Sequence, residues 1–393
     1  MNGSKSPRDP VAPHIAGLPK SGIRDFFNLV AERSDVISLG IGEPDFQTPW
    51  RVRERAIEAI ERGHTRYTAN LGTIALRKAV ADYTRERFGG GYDWRDEVLV
   101  TVGVSEGLDT ALRAILSPGD EVLYHEPCFV AYAPIVRMAH ATPVLVETRM
   151  ENSFKLRRED LEAAVTPRTR ALLVNFPNNP TGAALTEADT RMLADFVTRH
   201  DLLLVTDEVY SELTYDIPRT SVIALPGMKE RTIFLNGFSK AWSMTGFRLG
   251  YACAPAPVID AMMKIHQYTM MCASSVSQAA GVEAAQNAIA DIGEMRRSYA
   301  LRRNFTAARF NEMGLDCRVP EGAFYVFPSI KKTGLSSMDF CVRLLGEESV
   351  ACVPGTAFGA CGEGFFRACY ATGMDDLKEA MNRIEAFVAR LRK

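Results

Sequence analysis

The middle of the chain alternates short apolar runs with longer segments whose apolar residues recur at helical spacing. A short, continuous apolar run suits a strand buried on both faces, which is typical of a parallel sheet. The alternation predicts an α/β fold with a mostly parallel sheet covered by helices. The predicted strands are Val98–Val102, Glu121–Tyr124, Pro143–Val146, Ala171–Asn175, Leu202–Thr206 and Thr232–Asn236, and the predicted helices are Glu106–Leu116, Tyr132–Met138 and Glu187–Arg199.

The pattern changes near residue 290, after which strands and helices mix differently and a smaller α+β domain is expected. We predict a large domain over residues 46–290 and a small domain formed by residues 1–45 together with residues 291–393. The predicted elements of this part are a long amphipathic helix Glu283–Asn311, a strand Ala323–Phe327, a helix Met338–Glu347, strands near Val350–Pro354 and Phe365–Tyr370, and a last helix Met374–Leu391.

Composition excludes several classes of protein. The chain has 393 residues and a formal net charge of −2, so nothing in its charge favours a nucleic-acid partner. No apolar stretch reaches the roughly 18 to 20 residues that a membrane span needs. Residues 1–13 are polar and contain prolines, and they lack the apolar core of a signal peptide.

Cysteine and histidine spacing gives no sign of a metal site. The eight cysteines never form a Cys-x-x-Cys pair, and the six histidines never form a His-x-x-x-His pair. This scatter argues against a zinc ribbon and against a disulfide framework. It favours a reducing compartment, and we expect a cytoplasmic protein without a metal.

The first candidate for chemistry is a lysine at the end of an apolar strand. Lys240 lies in the segment Asn236–Gly250, a Gly/Ser-rich loop with Arg248 eight residues further on. Burial and nearby positive charge lower the pKa of a lysine and make its amine nucleophilic, as an aldehyde cofactor requires. Arg248 could supply that charge while binding a phosphate.

Three further motifs follow predicted strands. Asp207 directly follows the predicted strand Leu202–Thr206, at the strand end where ligands of α/β proteins bind, and a carboxylate there can keep a pyridine nitrogen protonated. Tyr210 follows three residues later, within reach of a ring hydroxyl. The turn Asn175–Gly182 presents Asn179, and in the turn Val102–Gly107 a strand runs into a helix whose first N–H groups suit a phosphate.

Each motif alone also fits an ordinary structural role. A surface lysine in a polar turn, an acidic helix cap, an Asn-Pro turn and a Gly-containing strand–helix turn are all common in proteins. Their combination is more specific, because phosphate turn, asparagine turn, acid, lysine and arginine occur in that order, the first four each after a predicted strand.

With these motifs, the chain resembles the class I and II aminotransferases of the pyridoxal 5′-phosphate (PLP) fold type I superfamily over nearly its whole length. It is most similar to the prokaryotic subgroup of aspartate, alanine, aromatic and N-acyl-diaminopimelate aminotransferases. The resemblance implies a large domain with a mostly parallel seven-stranded sheet and a smaller α+β domain. The segments that carry it are Leu39–Asp45, Asn179–Gly182, Asp207–Tyr210, Ser239–Lys240 and Met244–Arg248.

The resemblance implies a role for each matching residue. Lys240 would form the Schiff base with PLP and move the substrate proton, and Asp207 would pair with the pyridine nitrogen. Asn179 and Tyr210 would bond the phenolic oxygen of the ring, and Phe129 would stack on its face. The phosphate would be bound by the backbone amides of Val104 and Ser105 and by the side chains of Ser239 and Arg248.

The resemblance also implies the substrate site and the assembly. Arg367 would bind the substrate α-carboxylate through its forked guanidinium, and Gly42, together with Phe129 and Asn179, would lie beside the substrate. Tyr67 resembles a tyrosine that reaches the phosphate of the neighbouring subunit, which implies a homodimer with shared active sites. Taken singly, Phe129 and Tyr67 also fit packed aromatics, and Arg367 fits a strand-edge ion pair.

Some positions depart from the family pattern. Gly237 stands where many relatives carry a serine, and Phe129 stands where tyrosine or tryptophan is frequent. Some aspartate-specific relatives carry a lysine in the turn where this chain has Val104, Ser105 and Glu106. Aspartate preference is therefore in doubt, although another arginine such as Arg24 could bind a distal carboxylate.

The sequence thus predicts a PLP-dependent transaminase that moves an amino group from an L-amino acid to a 2-oxo acid by a ping-pong mechanism, with 2-oxoglutarate as the expected acceptor. One alternative is a PLP-dependent C–S lyase or synthase on the same scaffold. A more remote alternative is a non-catalytic PLP-sensing regulator, but residues 1–38 are too few for the DNA-binding module that such proteins fuse ahead of this domain.

Overall fold

The computed structural model describes residues 10–18 and 35–392. The strands are β1 (Ile37–Ser38), β2 (Val98–Thr101), β3 (Glu121–Glu126), β4 (Thr142–Glu147), β5 (Thr169–Asn175), β6 (Leu203–Asp207), β7 (Thr232–Gly237), β8 (Gly250–Cys253), β9 (Tyr325–Val326), β10 (Val350–Ala351), β11 (Val353–Pro354) and β12 (Phe366–Cys369).

The helices of the described residues are α1 (Pro13–Ala16), α2 (Trp50–Glu61), α3 (Ile74–Phe88), α4 (Gly103–Ile115), α5 (Tyr132–Met138), α6 (Arg158–Ala164), α7 (Glu187–Arg199), α8 (Phe238–Ala241), α9 (Ala256–Thr269), α10 (Ser275–Asn287), α11 (Ile289–Glu312), α12 (Ser337–Glu348) and α13 (Met374–Leu391).

A seven-stranded sheet forms the centre of the molecule, in the order β2–β8–β7–β6–β5–β3–β4. The strands β4, β3, β5, β6 and β7 are parallel, and β8 runs antiparallel to both of its neighbours. Residues 171–175 and all of β7 are buried, since helices cover both faces of the sheet. The predicted α/β fold with a mostly parallel seven-stranded sheet is confirmed. Parallel strands bring their carboxyl ends to one edge, and the candidate site lies there.

The C-terminal part forms a smaller α+β lobe. Strands β11, β12 and β9 make an antiparallel three-stranded sheet, and β1 pairs with β10 in parallel. Leu39 is buried in one apolar cluster with Tyr299, Phe310 and Phe366, so the segment around β1 packs on this lobe. The domain boundary near residue 290 stays a prediction, and residues 1–9 and 19–34 of the predicted small domain lie outside the described residues.

The prediction of one long helix over Glu283–Asn311 is wrong. The structure has α10 and α11, separated at Ala288. Two side chains from other elements bond the carbonyl groups at the break: the Arg51 guanidinium donates to Asn287 O at 2.7 Å, and the Trp242 indole N–H donates to Ala288 O at 3.1 Å. These contacts come from distant segments of the chain, so the periodicity of apolar residues does not reveal them.

Three features of the described residues bear on the other expectations. The eight cysteines all lie within the described residues and are free. In residues 10–18 and 35–392, no three His, Cys, Asp or Glu side chains are grouped so that they could hold a metal ion. No helix of the described part is long and apolar enough to cross a membrane.

Candidate active site

A cavity of about 400 Å³ lies between the carboxyl edge of the sheet and the small lobe. Its walls come from the ends of β5, β6 and β7, from the start of α4, and from β9 and β12. The lining residues are Ile41, Gly42, Glu43, Val104, Ser105, Leu108, Phe129, Tyr132, Asn175, Asn179, Asp207, Val209, Tyr210, Ser239, Lys240, Thr245, Arg248, Tyr325 and Arg367.

Lys240 lies in the short helix α8, directly after β7. Its Nζ donates a hydrogen bond to Gly42 O at 2.7 Å, across the cavity. Burial lowers the pKa of Lys240 to about 8, and the nearby guanidinium groups of Arg367 and Arg248 act in the same direction. An amine with this pKa loses its proton readily near neutral pH, as a nucleophile must.

Asp207 ends β6, and its carboxylate faces the same cavity. The Tyr132 hydroxyl donates to Oδ2 at 2.9 Å, and the Val209 N–H donates to Oδ1 at 3.2 Å. Burial nevertheless raises the pKa of Asp207 to about 6. The two donors fix the orientation of the carboxylate and leave it lone pairs for a cationic N–H in the cavity.

The first turn of α4 lines one end of the cavity. The backbone amides of Val104 and Ser105 lie in that turn and have no partner within the helix. Gly103 has a positive φ of +75°, and a Cβ there would come within 2.7 Å of the Arg248 guanidinium. Arg248 can therefore approach this turn only because residue 103 is glycine.

Arg367 lies on β12 and is only 3% exposed. Its guanidinium donates to Asn179 Oδ1 at 2.9 Å and to Gly40 O at 2.5 Å. Its Nε is buried and has no hydrogen-bond partner within the described chain. A buried guanidinium without a counter-ion is costly unless an anionic ligand completes its surroundings.

Lys240, Arg248 and Arg367 share one electrostatic property. Their hydrogen bonds go to carbonyl and amide oxygens, and within residues 10–18 and 35–392 none of the three forms an ion pair with a carboxylate. Three such cations around one cavity favour an anionic ligand with more than one charged group. A phosphate at Arg248 and a carboxylate at Arg367 would satisfy this charge pattern.

The structure brings almost all of the predicted residues together. Tyr67 is the exception, because it lies outside the cavity and its side chain is 82% exposed. Arg24 lies outside the described residues. The structure gives a steric reason for glycine, in place of the serine of many relatives, at position 237. A Cβ there would lie 2.9 Å from Val104 Cγ2 and 3.1 Å from Leu249 O, so a serine would not fit without movement of these neighbours.

Sequence reasoning missed several lining residues. Tyr132 and Tyr325 carry no turn or strand-end signal, because one begins α5 and the other lies in β9. Asn175 ends β5, and its amide donates to Asp207 O at 2.8 Å; its position at a predicted strand end could have revealed it. The other missed lining residues are Ile41, Glu43, Leu108, Val209 and Thr245.

Comparison with known proteins agrees with this geometry. Residues 34–384 match the family described as aminotransferase class I and II. The chain belongs to that family. Its members are PLP enzymes, and the chain is accordingly an aminotransferase of fold type I.

Similar proteins within the family differ in their named substrates. An aromatic-amino-acid aminotransferase of Thermococcus litoralis and an aspartate aminotransferase of Pyrococcus abyssi are each 45% identical over 368 residues, which is 93% of this chain and 95% of each relative. The solved structure of the aspartate aminotransferase from Rhizobium meliloti has a TM-score of 0.93 at 40% identity, covering 98% of this chain and all of that one. Equal identity to two such relatives shows the reaction type and leaves the amino donor open.

Proposed function

We propose that this aminotransferase moves the amino group of an L-amino acid to 2-oxoglutarate by a ping-pong mechanism, with PLP bound as a Schiff base on Lys240. The observation that carries the proposal is one cavity in which Lys240, with its lowered pKa, faces Asp207 and two arginines that form no ion pair within the described part of the chain. Bound PLP supplies an electron sink for the bond broken at the substrate α-carbon.

The donors and acceptors of the cavity fit PLP group by group. Asp207 would accept a hydrogen bond from the pyridinium N–H, and Phe129 would stack on the ring. Asn179 and Tyr210 would bond the ring oxygen. The phosphate would be bound by the Val104 and Ser105 amides, the Ser239 hydroxyl and Arg248, where the α4 N-terminus and a guanidinium meet.

Lys240 then has two tasks in the proposed reaction. Its amine would hold the cofactor, and once the amino acid has freed it, the amine would take the proton from the substrate α-carbon and deliver it to the cofactor carbon. A pKa of about 8 suits both directions, because the group can accept and release a proton near neutral pH. A ping-pong sequence repeats these steps in reverse with the acceptor acid.

Arg367 would bind the α-carboxylate of both substrates. The unpaired Nε and the absence of a carboxylate partner in the described chain support this role. Asn179 and Gly40 hold the guanidinium in place, which favours a bidentate contact. Gly42 would lie beside the substrate through its backbone.

The proposed active unit is a homodimer in the cytoplasm. Tyr67 would serve the phosphate of the partner subunit, and its exposure supports this because it has no role in its own cavity. Large apolar side chains within seven positions of it in the sequence are also exposed, among them Ile60 at 58% and Ile74 at 54%, as expected for a surface that a second copy covers. The free cysteines suit a reducing compartment.

The proposal is tested by the visible absorbance of the purified protein with PLP, before and after single amino acids are added without a 2-oxo acid. We expect a cofactor band that converts to the pyridoxamine form with accepted donors. Lys240→Ala should lose at least about 10⁴-fold of the turnover rate, whereas Lys264→Ala, an exposed lysine of α9, should behave as wild type. Multiple turnover by Lys240→Ala would contradict the proposal, and pyruvate and ammonia release would favour the lyase.

A further inference from the structure

Tyr325 contacts both Arg367, the proposed carboxylate site, and Tyr210, the proposed partner of the cofactor ring oxygen. It lies on β9, is 1% exposed and lines the cavity. A Cβ added at Gly42 would overlap its hydroxyl, so Tyr325 reaches its position only because residue 42 has no side chain.

The ring of Tyr325 supports the guanidinium of Arg367. The Arg367 Cζ lies 4.4 Å from the Tyr325 ring centroid, within the range of a cation–π contact. Phe358 lies near the same guanidinium, at 4.8 Å from its ring centroid. The two aromatic faces limit where Arg367 can move, and the face of Tyr325 does so without its hydroxyl.

The hydroxyl of Tyr325 contacts Tyr210, the proposed donor to the ring oxygen of the cofactor. Its Oη lies 2.8 Å from the Tyr210 Oη, and both groups are buried. Each phenol has a single hydrogen. If Tyr210 donates its hydrogen to the ring oxygen of the cofactor, the bond between the two tyrosines must use the hydrogen of Tyr325.

We propose that Tyr325 is a positioning residue that couples the carboxylate site at Arg367 to the cofactor-oxygen site at Tyr210. The inference rests on the proposed function. By donating to Tyr210, Tyr325 fixes the direction of that hydroxyl and polarises it, which makes Tyr210 a stronger donor. Its ring meanwhile holds Arg367, so the two sites share one side chain.

The test separates the ring of Tyr325 from its hydroxyl. Tyr325→Phe keeps the face under Arg367 and removes the bond to Tyr210. A donor to the ring oxygen stabilises its anionic form, so in the PLP-loaded variant the pH midpoint of the visible band should rise by about half a pH unit. The KM for the amino acid should stay within about twofold of wild type, and the PLP dissociation constant should rise about threefold.

A second variant tests the contact between the Tyr325 ring and Arg367. Tyr325→Leu removes the aromatic face as well, and we expect the KM for the amino acid to rise about tenfold in addition to the shift of the midpoint. Equal KM values for the Leu and Phe variants would overturn the role of the ring.

Tyr370→Phe is the matched control. Tyr370 is fully buried in the same lobe, and its hydroxyl donates to Ala323 O at 3.0 Å, away from the cavity lining. Its loss removes a buried hydroxyl bond without touching Tyr210, so the midpoint should not move. A normal wild-type titration with an unshifted Tyr325→Phe, or an equal shift in Tyr370→Phe, would overturn this inference alone. A wild-type protein without a visible band would overturn the proposed function and the inference together.

Discussion

The two walls of the cavity are built in different ways. The sheet wall consists of Val104, Ser105, Asn179, Asp207 and Lys240, and each of these residues lies within a few positions of the end of β2, β5, β6 or β7. The lobe wall consists of Gly42, Tyr325 and Arg367, which come from three distant segments of the chain.

The difference concerns what holds each side chain. On the sheet wall, a residue is aimed by its own strand, as Asp207 is by β6. On the lobe wall, the residues position one another: Tyr325 packs against Arg367, and its hydroxyl fits beside Gly42. We therefore expect changes in the sheet wall to affect the cofactor and changes at Arg367 to affect the substrate. Tyr325 contacts both Arg367 and Tyr210, so changes there should affect both.

Among substitutions that leave Lys240 in place, the largest effect should come from the lobe wall. Arg367→Lys keeps the charge but loses the fork and the bonds to Asn179 and Gly40, so kcat/KM for the amino acid should fall by about 100-fold or more. The visible band of the PLP-loaded protein should be unchanged. Steady-state kinetics and absorbance measure both, with Arg191→Lys on the exposed face of α7 as the control. Loss of the cofactor band would contradict the expectation that Arg367 acts on the substrate and not on the cofactor.

On the sheet wall, Asp207→Asn should stabilise the apoprotein but slow the reaction. The folded-state pKa of Asp207, about 6, exceeds the usual 3.8, so the folded protein binds this proton more tightly than the unfolded chain. Ionisation of Asp207 therefore destabilises the apoprotein as pH rises from about 4 to 6, and the loss persists at pH 7. Asn removes that charge and should stabilise the apoprotein at pH 7 by up to about 3 kcal/mol, with little gain at pH 4.

The same substitution should slow amino-group transfer by about 100-fold, because the ring nitrogen loses its anionic partner. Melting of the apoprotein at the two pH values and single-turnover kinetics test the two effects. Asp82→Asn on the surface of α3 is the matched control for the stability gain. An apoprotein destabilised at pH 7 by Asp207→Asn would show that burial does not dominate at this carboxylate.

The smallest effect is expected at Glu106, a residue that supports the sheet wall from outside the cavity lining. Glu106 lies in the first turn of α4, where its Oε2 accepts the Val102 N–H at 2.8 Å and its Oε1 lies 2.9 Å from His266 Nδ1. Glu106→Ala leaves the Val102 amide without this acceptor, and the dissociation constant for PLP should rise about tenfold. Glu106→Gln keeps an oxygen for that amide and should change it less than about threefold.

Titration of the apoprotein with PLP measures these constants. Asp109→Ala, on the outer side of the same helix, controls for a general loss of α4 stability. If both the Ala and the Gln variant bind PLP as tightly as the wild type, the turn needs no support from Glu106. The sheet wall would then be held by its strand ends alone.

The same contrast explains how much the sequence could predict. Apolar runs identified the strands of the parallel sheet, and polar residues at their ends identified the sheet wall. Strand β8, antiparallel and following a loop, was not predicted, and neither was helix α9. Family motifs supplied Arg367 and Gly42, whereas Tyr325 was missed because a tyrosine inside a short apolar strand looks like an ordinary core residue.

Contacts between distant segments account for the remaining misses. The bond from Tyr132 to Asp207 joins residues 75 positions apart, and no local pattern encodes it. The break between α10 and α11 depends on Trp242 and Arg51. Such features follow from packing, which periodicity and turn signals do not describe.

The close approach of the Tyr325 hydroxyl to Gly42 restricts the order in which these two positions can evolve. A side chain at residue 42 overlaps the phenol, so a lineage that first mutates Gly42 disturbs the packing beneath Arg367. A lineage that first shortens Tyr325 opens the space in which residue 42 can then vary. We therefore expect the two sites to be epistatic, and a library that searches for new substrates should randomise them together.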